Sequence, residues 1–168
     1  MNRYRVLRYL AFFLEIILCY IIQTTPGLTL EVFGGRPVPL IPLAIAFAAF
    51  EEEIPAIFFG VICGLLSDSG YSGPVGYYAI TLAVLCYTVS VLMANYIHTN
   101  LLTVMIISTL SIPLIIAGQF LMFYIAAGYQ NAVEYFTAHY ISRIIYTWAF
   151  VPVVFWINRF IAARTAAE

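Results

Sequence analysis

The chain contains no lysine, and its seven basic residues are all arginine. Lysine chemistry is therefore excluded, both Schiff-base catalysis and the phosphate-binding lysine of a P-loop. Charge of either sign is scarce, because only 9% of the 168 residues are charged and the net charge is −1. This balance provides no overall positive field, and we expect no nucleic-acid partner.

Clusters of reactive or metal-binding residues are also missing from the sequence. Cys19, Cys63 and Cys86 are far apart, and each lies in an apolar run, which is typical of small buried hydrophobic residues. His98 and His139 have no cysteine or carboxylate at metal-ligand spacing. No G-x-S-x-G or Ser-x-x-Lys pattern occurs. We therefore expect no metal, no cofactor and no enzymatic activity.

Apolar residues make up 64% of the chain, which is too large a share for a soluble domain. Arg3, Arg5 and Arg8 precede the apolar run Tyr9–Ile22, and the following Gln23–Pro26 offers no small-x-small cleavage site. We expect an uncleaved first transmembrane helix. The fold class that follows is an all-α integral membrane protein.

We place about six transmembrane segments in one compact bundle, a single domain over residues 1–168. The second and third segments have about 12 to 14 residues each, or ~20 Å, against a hydrocarbon core of ~30 Å. They either form a partly re-entrant pair or border a thinned, wet region. In chain order the segments are Arg8–Thr24, Pro39–Phe50, Ile54–Ser67, Val75–Tyr96, Leu101–Ala127 and Tyr140–Ile161.

Arginine placement predicts the orientation of the chain. The three arginines at the start, together with Arg159 and Arg164 near the end, predict that both termini lie in the cytoplasm. Under this scheme Glu51–Glu53 form a solvated cytoplasmic loop between the second and third segments. Tyr77 and Tyr78 then fall in the outer aromatic belt.

The most distinctive stretch is a helical hairpin between residues 54 and 87. Gly60-x-x-x-Gly64 makes a smooth helix face that a neighbouring backbone can approach closely. A turn rich in serine and glycine follows, and Pro74-x-Gly76 opens the next apolar helix. Because the turn is short, we expect the two helices to be antiparallel neighbours.

Two acidic residues are candidates for function. Glu15 lies near the middle of the first helix, where a carboxylate indicates either an ion or substrate contact or a protonated, hydrogen-bonded lock against another helix; we favour the lock. Asp68 ends the third segment before Ser69 and Gly70. It is better suited to capping its own turn than to binding a ligand.

The run GVICGLLSDSGYSGPVGYYAITLAVLCY resembles the central signature of MreD, the bacterial rod shape-determining membrane protein family. That family has a glycine-rich helix ending in Leu-x-Asp, a Ser/Gly turn, Pro-Leu-Gly and another helix; Val75 replaces the leucine here. The closing stretch RIIYTWAFVPVVFWINRFI resembles the family's last helix. The matching positions are Gly60, Gly64, Asp68, Gly73, Pro74, Gly76, Pro152 and Arg159.

The resemblance implies a fold similar to the six-helix substrate-binding subunits of energy-coupling-factor vitamin transporters. It also implies a non-enzymatic scaffold in the bacterial plasma membrane that helps regulate lateral peptidoglycan synthesis and rod shape. The implied partners are the single-span protein MreC and, through it, the actin-like MreB, the RodA glycosyltransferase and a penicillin-binding transpeptidase, besides membrane lipid. The alternative is a vitamin-type transport subunit in which Glu15 and Asp68 line the pocket.

Overall fold

The computed structural model describes residues 3–25, 36–69, 76–122, 136 and 140–165, and over these residues the regular structure is entirely helical. Pro74, one of the candidate residues, lies outside the described residues. The helices in the described part of the chain are α1 (Arg3–Thr24), α2 (Leu40–Phe50), α3 (Glu53–Ser69), α4 (Tyr77–Asn95), α5 (Leu101–Phe120) and α6 (Ile141–Thr165).

Four of these helices are long and apolar enough to cross a membrane. They contain the stretches Val6–Thr24, Tyr77–Asn95, Leu101–Phe120 and Ile141–Arg164. Helix α2 has 11 residues, about 16 Å at 1.5 Å per residue, and α3 has 17 residues, about 25 Å. The expected all-helical class is confirmed, with four helices that can span a membrane, and so is the shortness of the second segment. The third segment is longer than expected, since α3 begins at Glu53 and ends at Ser69. Six full crossings stay a prediction.

The short helix α2 forms the centre of the bundle. Every residue from Leu40 to Ala49 is buried, and α2 packs against all five of the other helices. A helix that is apolar on all sides is buried either in a protein core or in a membrane, and here the other helices cover it. The apolar composition of α2 therefore reflects burial inside protein rather than exposure to lipid.

Helices α1 to α6 alternate in direction, which gives the bundle two ends. We call the end where α3 stops and α4 starts the Asp68 end, and the end where α2 stops and α3 starts the Glu51 end. Helix α1 starts at the Glu51 end, where Arg8 bonds the Phe50 carbonyl. Helix α6 runs antiparallel to α1, since Asn158 bonds Glu15 while Thr147 lies beside the start of α2. The first helix therefore starts, and the last helix stops, at the Glu51 end.

Helices α3 and α4 form the tightest pair in the bundle, as their glycine spacing predicts. A Cβ atom added to Gly64 would lie 2.6 Å from the Tyr78 carbonyl oxygen and closer still to the Ala79 backbone. A Cβ on Gly60 would lie 2.8 Å from Cys86 Sγ. The absence of side chains at these two positions is what allows the backbones to approach.

The last helix continues through a proline. Pro152 is half-buried inside α6, which extends to Thr165. Proline has no backbone N–H, so one hydrogen bond of the helix is missing there. Neighbouring helices stabilise the interrupted turn, since Val151 and Val154 on either side of the proline are buried in the core.

Candidate functional site

Asp68 connects two helices. It lies in the last turn of α3, only 5% of its surface is exposed, and its carboxylate accepts hydrogen bonds from the backbone N–H groups of Gly76, Tyr78 and Ala79 at 2.9, 3.1 and 3.2 Å. The first N–H groups of a helix have no partner within it and favour negative charge. The expectation that Asp68 caps its own Ser/Gly turn is therefore corrected: it caps the following helix.

Gly76 gives this cap its geometry. Its φ of +116° lies in the left-handed region, which is costly for residues with a side chain. The turn it makes directs its own N–H and those of the next residues toward Asp68. A Cβ atom there would meet nothing within 4 Å, so the requirement for glycine is conformational rather than steric.

Tyr78 is a core residue, which corrects its expected place in the aromatic belt. Only 1% of its surface is exposed, because it is the second residue of α4 and faces the bundle interior. Its hydroxyl donates to Gln119 Oε1 at 2.5 Å and accepts from Arg143 Nη2 at 3.1 Å. Tyr77 is partly buried, and its hydroxyl donates to the Ile115 carbonyl at 2.9 Å. The two tyrosines therefore connect α4 to α5 and α6.

Arg143 is a buried residue that the sequence interpretation missed. Its guanidinium bonds the Tyr78 hydroxyl and lies 6.0 Å from the ring centroid of Tyr140. The usable signal was an arginine inside a predicted membrane segment, where a charged side chain needs polar partners.

Glu15 pairs with Asn158, a second residue that sequence reasoning missed. Glu15 is 7% exposed, and Asn158 Nδ2 donates to its Oε1 at 3.1 Å and to the Val154 carbonyl at 3.0 Å. Glu15 Oε2 and Asn158 Oδ1 have no hydrogen-bond partner among the described residues. A proton on Glu15 would give this pair a donor for its remaining oxygens. The contact joins α1 to α6 in the interior.

Glu51 is not part of a solvated loop, which corrects the expectation for the three glutamates. Its Oε1 lies 2.5 Å from Arg8 Nε, and Arg8 Nη2 also donates to the Phe50 carbonyl at 2.7 Å. Glu52 and Glu53 are exposed, so the solvated description holds for these two. The Arg8 cation lies at the carbonyl end of α2, which a positive charge stabilises.

The ends of α2 are held by hydroxyl groups from other parts of the chain. Thr147 Oγ1 accepts from the Val38 N–H at 3.0 Å, just before the helix. At the other end, Ser90 donates to the Glu51 carbonyl at 2.9 Å and Thr99 to the Ala49 carbonyl at 3.0 Å. A short helix that ends inside a bundle has little access to water for its terminal groups. These side chains take the place of water.

Among the described residues, Glu15 and Asp68 thus belong to two separate contacts between helices rather than to one shared site. Glu15 bonds Asn158 and Asp68 bonds the start of α4, and the two acids have no partner in common. Cys19, Cys63 and Cys86 are free and buried. Within the described ranges no three His, Cys, Asp or Glu side chains come together as metal ligands.

The class that these features define is an all-helical bundle in which four helices can span a membrane. No protein-family model, curated protein or solved structure matches the chain. The resemblance to MreD and the likeness to transporter subunits therefore stay predictions that rest on the sequence motifs.

Proposed function

We propose that this protein is a membrane-embedded scaffold of the bacterial cell-elongation machinery, with the role that its MreD-like motifs imply. It binds an MreC-like single-span membrane protein and, through that protein, acts with MreB, RodA and a penicillin-binding transpeptidase. Its task is to help regulate lateral peptidoglycan synthesis. It does so without chemistry of its own, from the plasma membrane, with both termini in the cytoplasm.

The observation that carries the proposal is that protein groups fill the interior of the bundle and bond its acidic residues. Helix α2 fills the centre of the bundle with ten consecutive buried residues. Asp68 is occupied by three backbone N–H groups, and Glu15 bonds Asn158 across the α1–α6 contact. A centre filled by a helix suits a rigid scaffold, whereas a carrier needs space for its ligand there.

A vitamin-type substrate-binding subunit is the second candidate. The observation in its favour is Glu15 Oε2, which is buried and has no hydrogen-bond partner among the described residues. In a carrier this oxygen would contact a ligand or an ion. In a scaffold it needs only to complete the pair with Asn158.

Two substitutions at Glu15 separate these functions. Glu15→Gln keeps the size of the side chain and an oxygen that can accept from Asn158, so we expect it to retain partner binding and rod shape. Glu15→Leu leaves Asn158 Nδ2 with the Val154 carbonyl as its one remaining partner, and we expect it to reduce both. The measurements are co-purification of an MreC-like partner from native membranes and rescue of cell shape in a strain that lacks the protein.

Uptake of labelled vitamins by the wild type is the matched control. Loss of shape rescue with Glu15→Gln, together with uptake by the wild type, would replace the scaffold with the carrier. Absence of any MreC-like protein from the purified wild-type complex would contradict the scaffold proposal directly. Asn158→Asp tests the Glu15–Asn158 contact from the α6 side, because the substitution places a second carboxyl group beside that of Glu15.

A further inference from the structure

The outer face of α6 at the Glu51 end carries a surface that the scaffold proposal does not use. We call it the basic-aromatic stripe, and it consists of Trp156, Arg159, Phe160 and Arg164. Trp156 and Phe160 are 62% and 57% exposed, and both arginines are exposed. Residues three and four apart are neighbours on a helix surface, so Trp156 lies beside Arg159 and Phe160, and Phe160 lies beside Arg164.

The aromatic rings hold the guanidinium groups of the stripe in place. Arg159 Cζ lies 5.8 Å from the ring centroid of Trp156, and Arg164 Cζ lies 4.4 Å from that of Phe160. A guanidinium that stacks on a ring keeps its N–H donors free at its edges. The stripe therefore presents two ordered sets of donors to its surroundings.

No carboxylate in the described part of the chain neutralises these arginines. Helix α6 contains no acid, and the helices packed against it are α1, α2 and α5. Their sequences contain one acid, Glu15, which bonds Asn158 in the interior. Glu51 pairs with Arg8, and Glu52 and Glu53 belong to the α2–α3 junction and the start of α3. The positive charge of the stripe is therefore available to an outside partner.

The apolar surface beside the stripe indicates what kind of partner this is. Val153, three residues before Trp156, and Ile157, directly after it, are 56% and 44% exposed. The face is thus apolar within the span and becomes aromatic and then basic toward its end. This order matches an acyl chain, the interfacial layer and a headgroup phosphate.

We propose that the basic-aromatic stripe binds the headgroup phosphate of an anionic phospholipid, with the acyl chains against Val153 and Ile157. Arginine suits phosphate because its fork of donors can bind two oxygens at once. Tryptophan suits the headgroup layer because its ring is apolar and its N–H is polar. The complementary charges and the depth of the site select this lipid over a zwitterionic one.

Trp156 is a reporter inside the proposed site. The chain has two tryptophans, so Trp148→Phe leaves Trp156 as the sole fluorophore; Trp148 donates to Thr109 on another face. The protein is placed in lipid nanodiscs that contain a low, equal mole fraction of phosphatidylglycerol or phosphatidylcholine with brominated acyl chains. We expect the anionic lipid to quench Trp156 more strongly, with a preference that falls roughly fivefold for each arginine removed.

Three variants in the Trp148→Phe background complete the test. Arg159→Gln/Arg164→Gln removes both guanidinium groups, and Arg36→Gln removes one exposed arginine elsewhere in the chain. We expect the double variant to quench equally with both lipids and Arg36→Gln to keep the wild-type preference. Arg164→Gln alone should show an intermediate preference.

Two results would overturn the proposal. One is equal quenching of the wild-type stripe by both brominated lipids. The other is a preference for the anionic lipid that remains after the double substitution. A preference that Arg36→Gln also abolishes has the same consequence, because the effect would then come from the net charge of the protein. Excess glycerol phosphate in solution should not displace the lipid, since the acyl contacts are part of the site. Size-exclusion profiles of the variants confirm that each remains folded.

Discussion

The two ends of the bundle hold the ends of their helices in different ways. At the Asp68 end, a single carboxylate accepts three N–H groups from the start of α4. At the Glu51 end, three side chains from separate parts of the chain each hold one of the last carbonyls of α2. These side chains are Arg8, Ser90 and Thr99.

The difference follows from the chemistry of a helix end. N–H groups need acceptors, and the two oxygens of one carboxylate can accept several hydrogen bonds. Carbonyl groups need donors, and a serine or threonine hydroxyl supplies one hydrogen only. The start of α4 therefore depends on one residue, whereas the carbonyls at the end of α2 are divided among two hydroxyl groups and the Arg8 guanidinium. We expect the Asp68 end to fail after one substitution and the Glu51 end to weaken in small steps.

The largest effect is expected at Asp68. Asp68→Leu leaves three N–H groups without their acceptor, the buried ones of Tyr78 and Ala79 and the part-buried one of Gly76, at about 1–3 kcal/mol for each buried group that stays unsatisfied. Asp68→Asn keeps one oxygen and should lie between this variant and the wild type. The measurement is thermal unfolding of the purified protein in detergent, monitored as the fraction that remains monodisperse. It ranks the stabilities of the wild type, Asp68→Asn and Asp68→Leu.

Ser69→Ala is the matched control for Asp68. Ser69 is exposed, its hydroxyl donates to the Leu66 carbonyl of its own helix, and its contact with another helix is a long, exposed one of 3.4 Å to the Tyr20 hydroxyl. We expect wild-type stability for this variant. If Asp68→Leu were as stable as Ser69→Ala, the N–H groups at the start of α4 would have another acceptor. The Asp68 end would then not depend on this one residue.

The second effect concerns the close approach that brings Asp68 to α4. Gly64→Ala places a Cβ against the backbone of Ala79 and 2.6 Å from the Tyr78 carbonyl oxygen. Backbone atoms cannot rotate away, so the helices must separate, at a cost of about 1–3 kcal/mol. We expect a lower melting temperature, measured under the same conditions as for Asp68.

Gly60→Ala provides the comparison for this steric argument. Its Cβ would lie 2.8 Å from Cys86 Sγ, which belongs to a side chain, and 3.0 Å from the Leu82 carbonyl oxygen. We expect a smaller loss than for Gly64→Ala. Equal losses would mean that α3 and α4 are uniformly close along their length rather than closest beside Asp68.

Sequence alone predicted the parts of this arrangement that depend on nearby residues. The glycine spacing indicated the close α3–α4 pair, and the shortness of the second segment was expected from the position of Glu51–Glu53. The helical class followed from the long apolar runs. In each case the signal lies within one helix or one turn, so periodicity and composition were sufficient.

The polar partners could not be predicted, because they are distant in sequence. Glu15 and Asn158 are separated by 143 positions, and Arg143 reaches Tyr78 across 65. Which faces meet depends on how the helices surround α2, and the pattern of residues within one helix does not show this. Tyr78 was assigned to the membrane interface for this reason: an aromatic residue near a helix start fits both an interfacial belt and a core.

The third prediction moves to the Glu51 end. Arg8→Met removes the partner of both the Glu51 carboxylate and the Phe50 carbonyl, whereas Glu51→Gln keeps an acceptor for Arg8. The Arg8 side chain is 21% exposed, so water can partly replace it and the loss should be about 1–2 kcal/mol. We expect Glu51→Gln to be milder, and the double variant to lose less than the sum of the two.

The decisive measurement for Arg8 is whether the stability losses of Arg8→Met and Glu51→Gln add up in the double variant. Residues that share an interaction show a coupling energy in a double-mutant cycle, which unfolding in denaturant can provide. A sum that is strictly additive would mean that the ion pair contributes nothing, and that Arg8 acts through the Phe50 carbonyl alone.

The smallest effects are expected for the two hydroxyl groups. Ser90→Ala and Thr99→Val each remove one donor from a carbonyl of α2, and hydrogen bonds between membrane helices contribute about 0.6 kcal/mol on average. Because they hold different carbonyls, we expect their losses to add, and their sum to stay below that of Asp68→Leu. Thr88→Ala, which removes a bond within α4, is the control. A loss for Ser90→Ala alone as large as that for Asp68→Leu would mean that the Glu51 end also depends on a single residue, and the contrast between the two ends would disappear.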